Sequence, residues 1–176
     1  GNVFYNFTQR ALFKLSSQGY FDDLKEPIKV GKESNVFSAS KGKSKVIVKI
    51  YRLESCNFNK MFDYIKKDER YFNLKRQKRK IIFAWTQREY RNLLKAREAK
   101  VNVPKPIAFK NHILIEEFIG DSKAAPMIKD SKIDNKKFYD DIVENMVKLY
   151  KFGIIHGDLS EFNILNYKNR PVFIDF

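Results

Sequence analysis

The chain has 176 residues, enough for one substantial core or two small lobes. Lys and Arg total 35 against 21 Asp and Glu, a formal net charge of +14 that draws polyanions such as nucleic acid, nucleotides or acidic headgroups. The single cysteine, Cys56, has no disulfide partner in this sequence, no Cys/His cluster suggests zinc, and no apolar run approaches bilayer length. The N-terminus lacks a secretory layout, so a reducing, cytoplasmic setting is expected.

Taken in order, Phe7, Ala11, Leu12 and Leu15 fall at helical spacing, and Gly19 is the expected stop. Three β-type runs follow, Ile28–Val30, Val36–Ala39 and Val46–Tyr51, parted by Gly31 and by a Lys41-Gly42-Lys43 turn, as in an antiparallel meander. Residues 54–80 are polar, charged and aromatic and end in the basic run Lys75–Lys80, which suggests a partly helical insert. A helix is expected from about Ile82 to Ala99, with Ile82, Tyr90, Leu93 and Leu94 towards one side. Pro104 and Pro106 break the chain before two further strands, Ile107–Phe109 and Ile113–Glu117. A connector spans Gly120 to Lys132. A second amphipathic helix over about 135–152 presents Phe138, Ile142, Met146 and Leu149, with Gly153 ending it. A hairpin of Ile164–Tyr167 and Val172–Asp175 closes the chain. Strands with one helix, then a helix with a hairpin, describe a two-lobed α+β architecture.

The chemistry concentrates near the end. His156-Gly157-Asp158 and Asn163 share one loop, and Phe173-Ile174-Asp175-Phe176 follows an apolar run. Phosphoryl transfer from a nucleotide needs a carboxylate to orient or deprotonate the attacking hydroxyl, plus an amide and a second carboxylate for magnesium. A polar turn whose Asp and Asn cap local backbone is the plainer alternative, and it leaves Asp175 unexplained. Upstream, Lys49 interrupts an apolar strand. It is either a solvent-facing lysine on an alternating strand or the fixed cation that phosphates require. Glu89, ahead of Glu98, is the acid best placed to aim it; otherwise it forms ordinary helical charge pairs with neighbouring arginines. Around Gly31 only one glycine is available for phosphate, and the Ser34 hydroxyl stands where another glycine would be; a plain β-turn explains this segment equally well. Ile113–Gly120 is either an edge strand with solvated glutamates or an adenine hinge using the Glu117 carbonyl and the Ile119 amide.

With these pieces placed, the sequence resembles the RIO family of atypical protein kinases, type 1 branch. The likeness runs through Gly31–Phe37, Val48–Glu54, the Phe58 to Arg70 insert, Trp85–Leu93, Val103–Pro106, Glu117–Gly120, Ala125–Ile128 and the two C-terminal motifs. It implies a bilobal protein-kinase-like fold with an antiparallel sheet in the upper lobe and a small helical lower lobe cut short after Asp175. The corresponding divisions are an N-terminal family-specific helix at 1–24, an upper lobe at 25–120 with its insert at 54–80, and a partial lower lobe at 121–176. It implies a magnesium-ATP-dependent serine/threonine kinase and ATPase in maturation of the small ribosomal subunit, whose RNA and proteins would be its partners. Carried over, Lys49 contacts the α/β-phosphates with Glu89 beside it, Ser34 borders them, and Glu117 and Ile119 hold adenine. Asp158 is the proton acceptor, Asn163 and Asp175 bind magnesium, and Asp175 is also a candidate aspartyl-phosphate site. Two departures stand out: Glu116 replaces an apolar residue beside the hinge, and family members continue past the position of Phe176. A tRNA-modification-associated kinase or a small-molecule phosphotransferase is the competing enzyme class, which the insert and Gly31-Lys32-Glu33 disfavour. A non-catalytic ribosome-binding module is the third reading, motivated by the Lys75–Lys80 run, whose plain alternative is a solvated face.

Overall fold

The computed structural model describes residues 3–74, 77–133, 135–154, 156, 159 and 163–176. The chain divides into two compact units, one of residues 1–90 with 107–117 and the other of 91–106 with 118–176. No helix among the described residues is long and apolar enough to cross a membrane.

The first unit is built on a five-stranded sheet ordered β1-β2-β3-β5-β4, from β1 (Leu24–Val30), β2 (Ser34–Lys41), β3 (Ser44–Tyr51), β4 (Pro106–Lys110) and β5 (Ile113–Glu117). The neighbours β1/β2, β2/β3 and β3/β5 are antiparallel. β3 lies between β2 and β5, so both its edges are paired, and Val46, Ile47, Val48, Lys49 and Tyr51, from both its faces, are all buried. Strand alternation then sorts its side chains. Val46 and Val48 join Ala39, Ile113 and Ile115 beneath Ala11, Leu12 and Leu15 of the N-terminal helix α1 (Val3–Ser17). Tyr51 instead packs with Leu53, Met61, Ile81 and Ile82 in a second core.

The insert is partly helical, as its composition suggests. It holds α2 (Phe58–Ile65), whose first turn is capped by the Asn57 side chain accepting from the Lys60 amide, then a short 3-10 turn, Glu69–Tyr71. Tyr64 meets Trp85 edge to face, with the Arg88 guanidinium over both rings.

Several elements differ from expectation. β1 starts at Leu24, not Ile28. It is a sheet edge with irregular register on either side of Pro27, which explains its polar residues and a proline inside a strand. The helix expected from Ile82 is α3 (Lys78–Glu98), which takes Lys78, Arg79 and Lys80 into its first turn. Lys75 and Arg76 lie outside the described residues. Ile82 and Leu93 are fully buried, while Leu94 points outward.

The second unit holds α4 (Lys136–Lys151) and a hairpin of β6 (Ile164–Tyr167) and β7 (Arg170–Phe173). The hairpin turns on Lys168 and Asn169, both in the left-handed region at φ 52° and 62°, the pairing that matches strand twist in a two-residue loop. The buried face of α4 is Phe138, Asn145 and Leu149, so Asn145 occupies the place expected for Met146, which is exposed.

Candidate active site

In the first unit the expected cation and acid meet. Lys49 is 4% exposed and Glu89 1% exposed, and Lys49 Nζ donates to Glu89 Oε2 at 2.9 Å. This removes both plain alternatives, a solvated strand lysine and a surface helical glutamate. The second carboxylate oxygen accepts from the Tyr51 hydroxyl at 2.6 Å, and the lysine ammonium lies 5.1 Å from the Tyr51 ring centroid. Lys49 and Tyr51 are two residues apart on one strand face, so sequence alternation could have identified Tyr51 as the third member. A buried ion pair of this kind offsets its desolvation only when geometry and extra hydrogen bonds are good. Tyr51 supplies that extra bond.

Beside it, the Gly31–Asn35 turn is braced from outside its own sequence. The Arg52 guanidinium donates to the Gly31 and Lys32 carbonyls and to Asn35 Oδ1, and the Arg52 amide donates to the Glu33 carbonyl. Glu33 in turn accepts from the Asn57 amide at 2.8 Å. Cys56 donates its thiol to the Glu33 carbonyl, and burial followed by the Glu33 charge pushes that thiol up to about 12, so it stays protonated. Ser34 opens β2 opposite Tyr51, and its carbonyl accepts from the Gly31 amide. Nothing in the sequence pattern singles out Arg52.

Glu117 ends β5 opposite Val46, with its side chain exposed. Glu116 is buried opposite Ile47, on the sheet face shared with Lys49 and diagonal to it, so a cation stands near the carboxylate that burial would otherwise penalise. Ile119 belongs to the second unit, where its carbonyl accepts from the Ala125 amide. Gly120 follows at φ 150°, and a Cβ there would stand 2.2 Å from the Lys123 carbonyl oxygen, so only glycine closes this turn.

In the second unit, Asn163 and Asp175 are brought together through the backbone. The Ile174 amide donates to the Asn163 carbonyl at 3.0 Å, and the Ile174 carbonyl accepts from His156 Nε2 at 2.7 Å, which fixes the proton on that nitrogen. The His156 ring also packs on Phe176 at 4.6 Å. Asp175 is thus held between two anchored neighbours, in the left-handed region at φ 62°, a conformation that costs a non-glycine residue about 1 kcal/mol or more. Asp158 lies outside the described residues. Asn163 is buried and Asp175 half-buried. An amide oxygen and a carboxylate are hard donors, and they suit magnesium, which takes one or two carboxylates and completes its shell with water and phosphate oxygens. Among the described residues no group of three or more His, Cys, Asp or Glu forms a self-sufficient metal site.

Comparison with known proteins identifies the family. The RIO domain family model matches residues 35–176. The Rio1 serine/threonine-protein kinase of Methanocaldococcus jannaschii is 41% identical over 177 residues, and that of Haloferax volcanii 38% identical over 178. Each alignment covers 99% of this chain and 61% of the relative, so the chain spans about three fifths of the length of these curated relatives. Among solved structures, the Rio2 kinase–ADP/magnesium–phosphoaspartate complex from Chaetomium thermophilum superimposes with a TM-score of 0.70 at 26% identity, over 94% of this chain and 51% of that one. With a family model matched over most of its length and Rio1 relatives near 40% identity, this chain belongs to the RIO family of atypical kinases, in its type 1 branch.

Proposed function

We propose that this chain carries the nucleotide-handling part of a magnesium-ATP-dependent atypical serine/threonine kinase that also hydrolyses ATP. The observation that carries the reading is the buried Lys49–Glu89 pair with its Tyr51 brace. A cation aimed in a fixed geometry by a carboxylate and a phenol is the preorganised charge that a polyphosphate requires. Lys49 contacts the α- and β-phosphates, Glu89 and Tyr51 aim it, and Ser34 on the Arg52-braced turn borders the phosphates. The Glu117 carbonyl and Ile119 amide hold adenine. Asp158 accepts the proton of the attacking hydroxyl, and Asn163 and Asp175 hold magnesium. Magnesium, when bound, neutralises charge that develops on the phosphates.

Asp175 has a second role in this reading, as acceptor of a phosphoryl group on its carboxylate. A related kinase has been solved as a phosphoaspartate complex, which supports the idea for this chain. Such a cycle suits a cytoplasmic ATPase switch in maturation of the small ribosomal subunit, and the +14 charge favours an RNA-rich partner. The test is incubation with magnesium and γ-labelled ATP. We expect ATP hydrolysis and acid-stable label released by hydroxylamine, both abolished in Asp175→Asn. Label that survives hydroxylamine, or persists in Asp175→Asn, contradicts the aspartyl-phosphate. Absence of any magnesium-dependent turnover contradicts the whole reading.

A further inference from the structure

One face of the five-stranded sheet carries polar side chains at successive levels. Cross-strand pairing sets Ser34 opposite Tyr51, Lys49 opposite Leu114, and Ile47 opposite Glu116. Directly opposed residues share a face, and residues two apart on a strand return to it, so these six stand on one side in three rows. Neighbouring rows lie about 7 Å apart at the rise of an extended strand. All six belong to the first unit, as does Glu117. The reading above gives phosphate to the rows of Ser34 and Lys49 and gives adenine to the carbonyl of Glu117, the residue after Glu116. Glu116 therefore stands one row beyond Lys49, at the end of the face assigned to the base.

Lys49, Glu89 and Tyr51 all have tasks in that reading, and Glu116 has none. Its side chain is 9% exposed, with Ile47 and Leu114 buried beside it. A carboxylate in such surroundings is costly unless strong donors meet it. Beside a cation a carboxylate is an acceptor only, and its two oxygens offer about four acceptor sites. Contacts within the protein therefore leave room for a donor on a ligand. The 6-amino group of adenine is such a donor and has two hydrogens, whereas a 6-oxo purine presents an acceptor at the same position.

Given the nucleotide reading, on which this step depends, we propose that Glu116 selects the base: its carboxylate accepts one hydrogen of the 6-amino group while the Glu117 carbonyl accepts the other. A 6-oxo purine turns an acceptor towards both oxygens and is rejected, because a site built to receive a donor discriminates strongly against a ligand that lacks it. An apolar side chain beside the hinge would make no such distinction, so the departure at Glu116 adds a selectivity that the hinge carbonyl alone does not supply. The rival role for Glu116 is to balance the Lys49 charge. In that role it would affect every triphosphate alike.

The test is titration calorimetry of the whole chain with the magnesium complexes of three triphosphates that differ only at purine position 6: ATP with an amine, purine riboside triphosphate with hydrogen, and inosine triphosphate with oxygen. The parent should bind them in that order of decreasing affinity. Glu116→Gln keeps the shape and can turn an amide N–H towards an oxo group, so the preference for ATP over inosine triphosphate should narrow by about tenfold or more. Glu116→Met removes the polar contact, and the preference for ATP over the purine riboside compound should shrink by about the same factor. Ratios within one variant are the readout, because a loss of stability or of charge beside Lys49 moves all three affinities together. The proposal is overturned if ATP still binds and both variants keep the parent's ratios, a result that leaves the nucleotide reading intact. A parent that binds all three alike also overturns it, and a parent that binds none overturns the nucleotide reading with it.

Discussion

The two units secure their chemical groups by different means. In the first, Lys49 and Glu89 come from a central strand and a helix and meet in a dry interior, where Tyr51 completes the set. In the second, Asp175 is half-buried and is positioned through its neighbour Ile174, whose amide donates to the Asn163 carbonyl and whose carbonyl accepts from the His156 ring. The first arrangement couples function to stability, because removing one partner leaves a buried charge. The second fixes its carboxylate through the backbone path of Ile174, which an isosteric amide at Asp175 leaves in place.

The sharpest way to break that contrast is to remove Asp175. Asp175→Asn should reduce magnesium-ATP turnover at least a hundredfold, on the order seen when one transition-state electrostatic group is removed, with a melting temperature near the parent's. A large drop in melting temperature would show that Asp175 is structural after all. Next, Glu89→Ala should destabilise the chain by about 3–5 kcal/mol in urea unfolding, because it strands the lysine. Lys49→Met combined with Glu89→Leu should recover much of that stability while staying inactive. A single Glu89→Ala that unfolds like the parent contradicts the pairing.

A third prediction concerns His112, buried beside Phe7 and Phe83 with Thr8 Oγ1 at 2.8 Å from its Nε2 and its Nδ1 without a hydrogen-bond partner among the described residues. Burial, aided by Arg79, depresses this imidazole to about 4. The unfolded chain, at the ordinary value near 6.5, binds the proton first. Stability is therefore fully present above about pH 6.5 and declines as pH falls towards 4, by roughly 3 kcal/mol at most. Urea titrations at pH 7.5 and about 4.5 should show this decline, and His112→Phe should flatten it. The smallest effect expected is on the turn beside Ser34. Arg52→Ala should raise the Michaelis constant for ATP severalfold with little change in turnover, since Arg52 braces the turn without facing the reaction.

Much of this was legible in the residues, for identifiable reasons. Lys49 is visible because a charge interrupts an apolar strand, and the approach of Asn163 to Ile174, next to Asp175, follows from the short hairpin between them. Other features were hidden. The start of α3 carries Lys78, Arg79 and Lys80, so its first turn reads as a charged loop although nothing in those residues opposes a helix. On α4 the buried positions step by seven and four residues, from Phe138 to Asn145 to Leu149, and apolar pattern matching prefers Met146 to an asparagine. Asn145 escapes that pattern because its polarity conflicts with its burial. Arg52 carries little signal because the turn it braces is held largely through the Gly31 and Lys32 carbonyls, which any residues would present.

Whether Lys49 and Asp175 serve the same triphosphate is decided by a double-mutant cycle, with titration calorimetry of magnesium-ATP into the parent, Lys49→Met, Asp175→Asn and the double variant. We predict that each single change weakens binding at least tenfold and that the second adds much less than its effect alone. Fully additive effects, or unchanged binding in either single variant, would contradict a shared ligand.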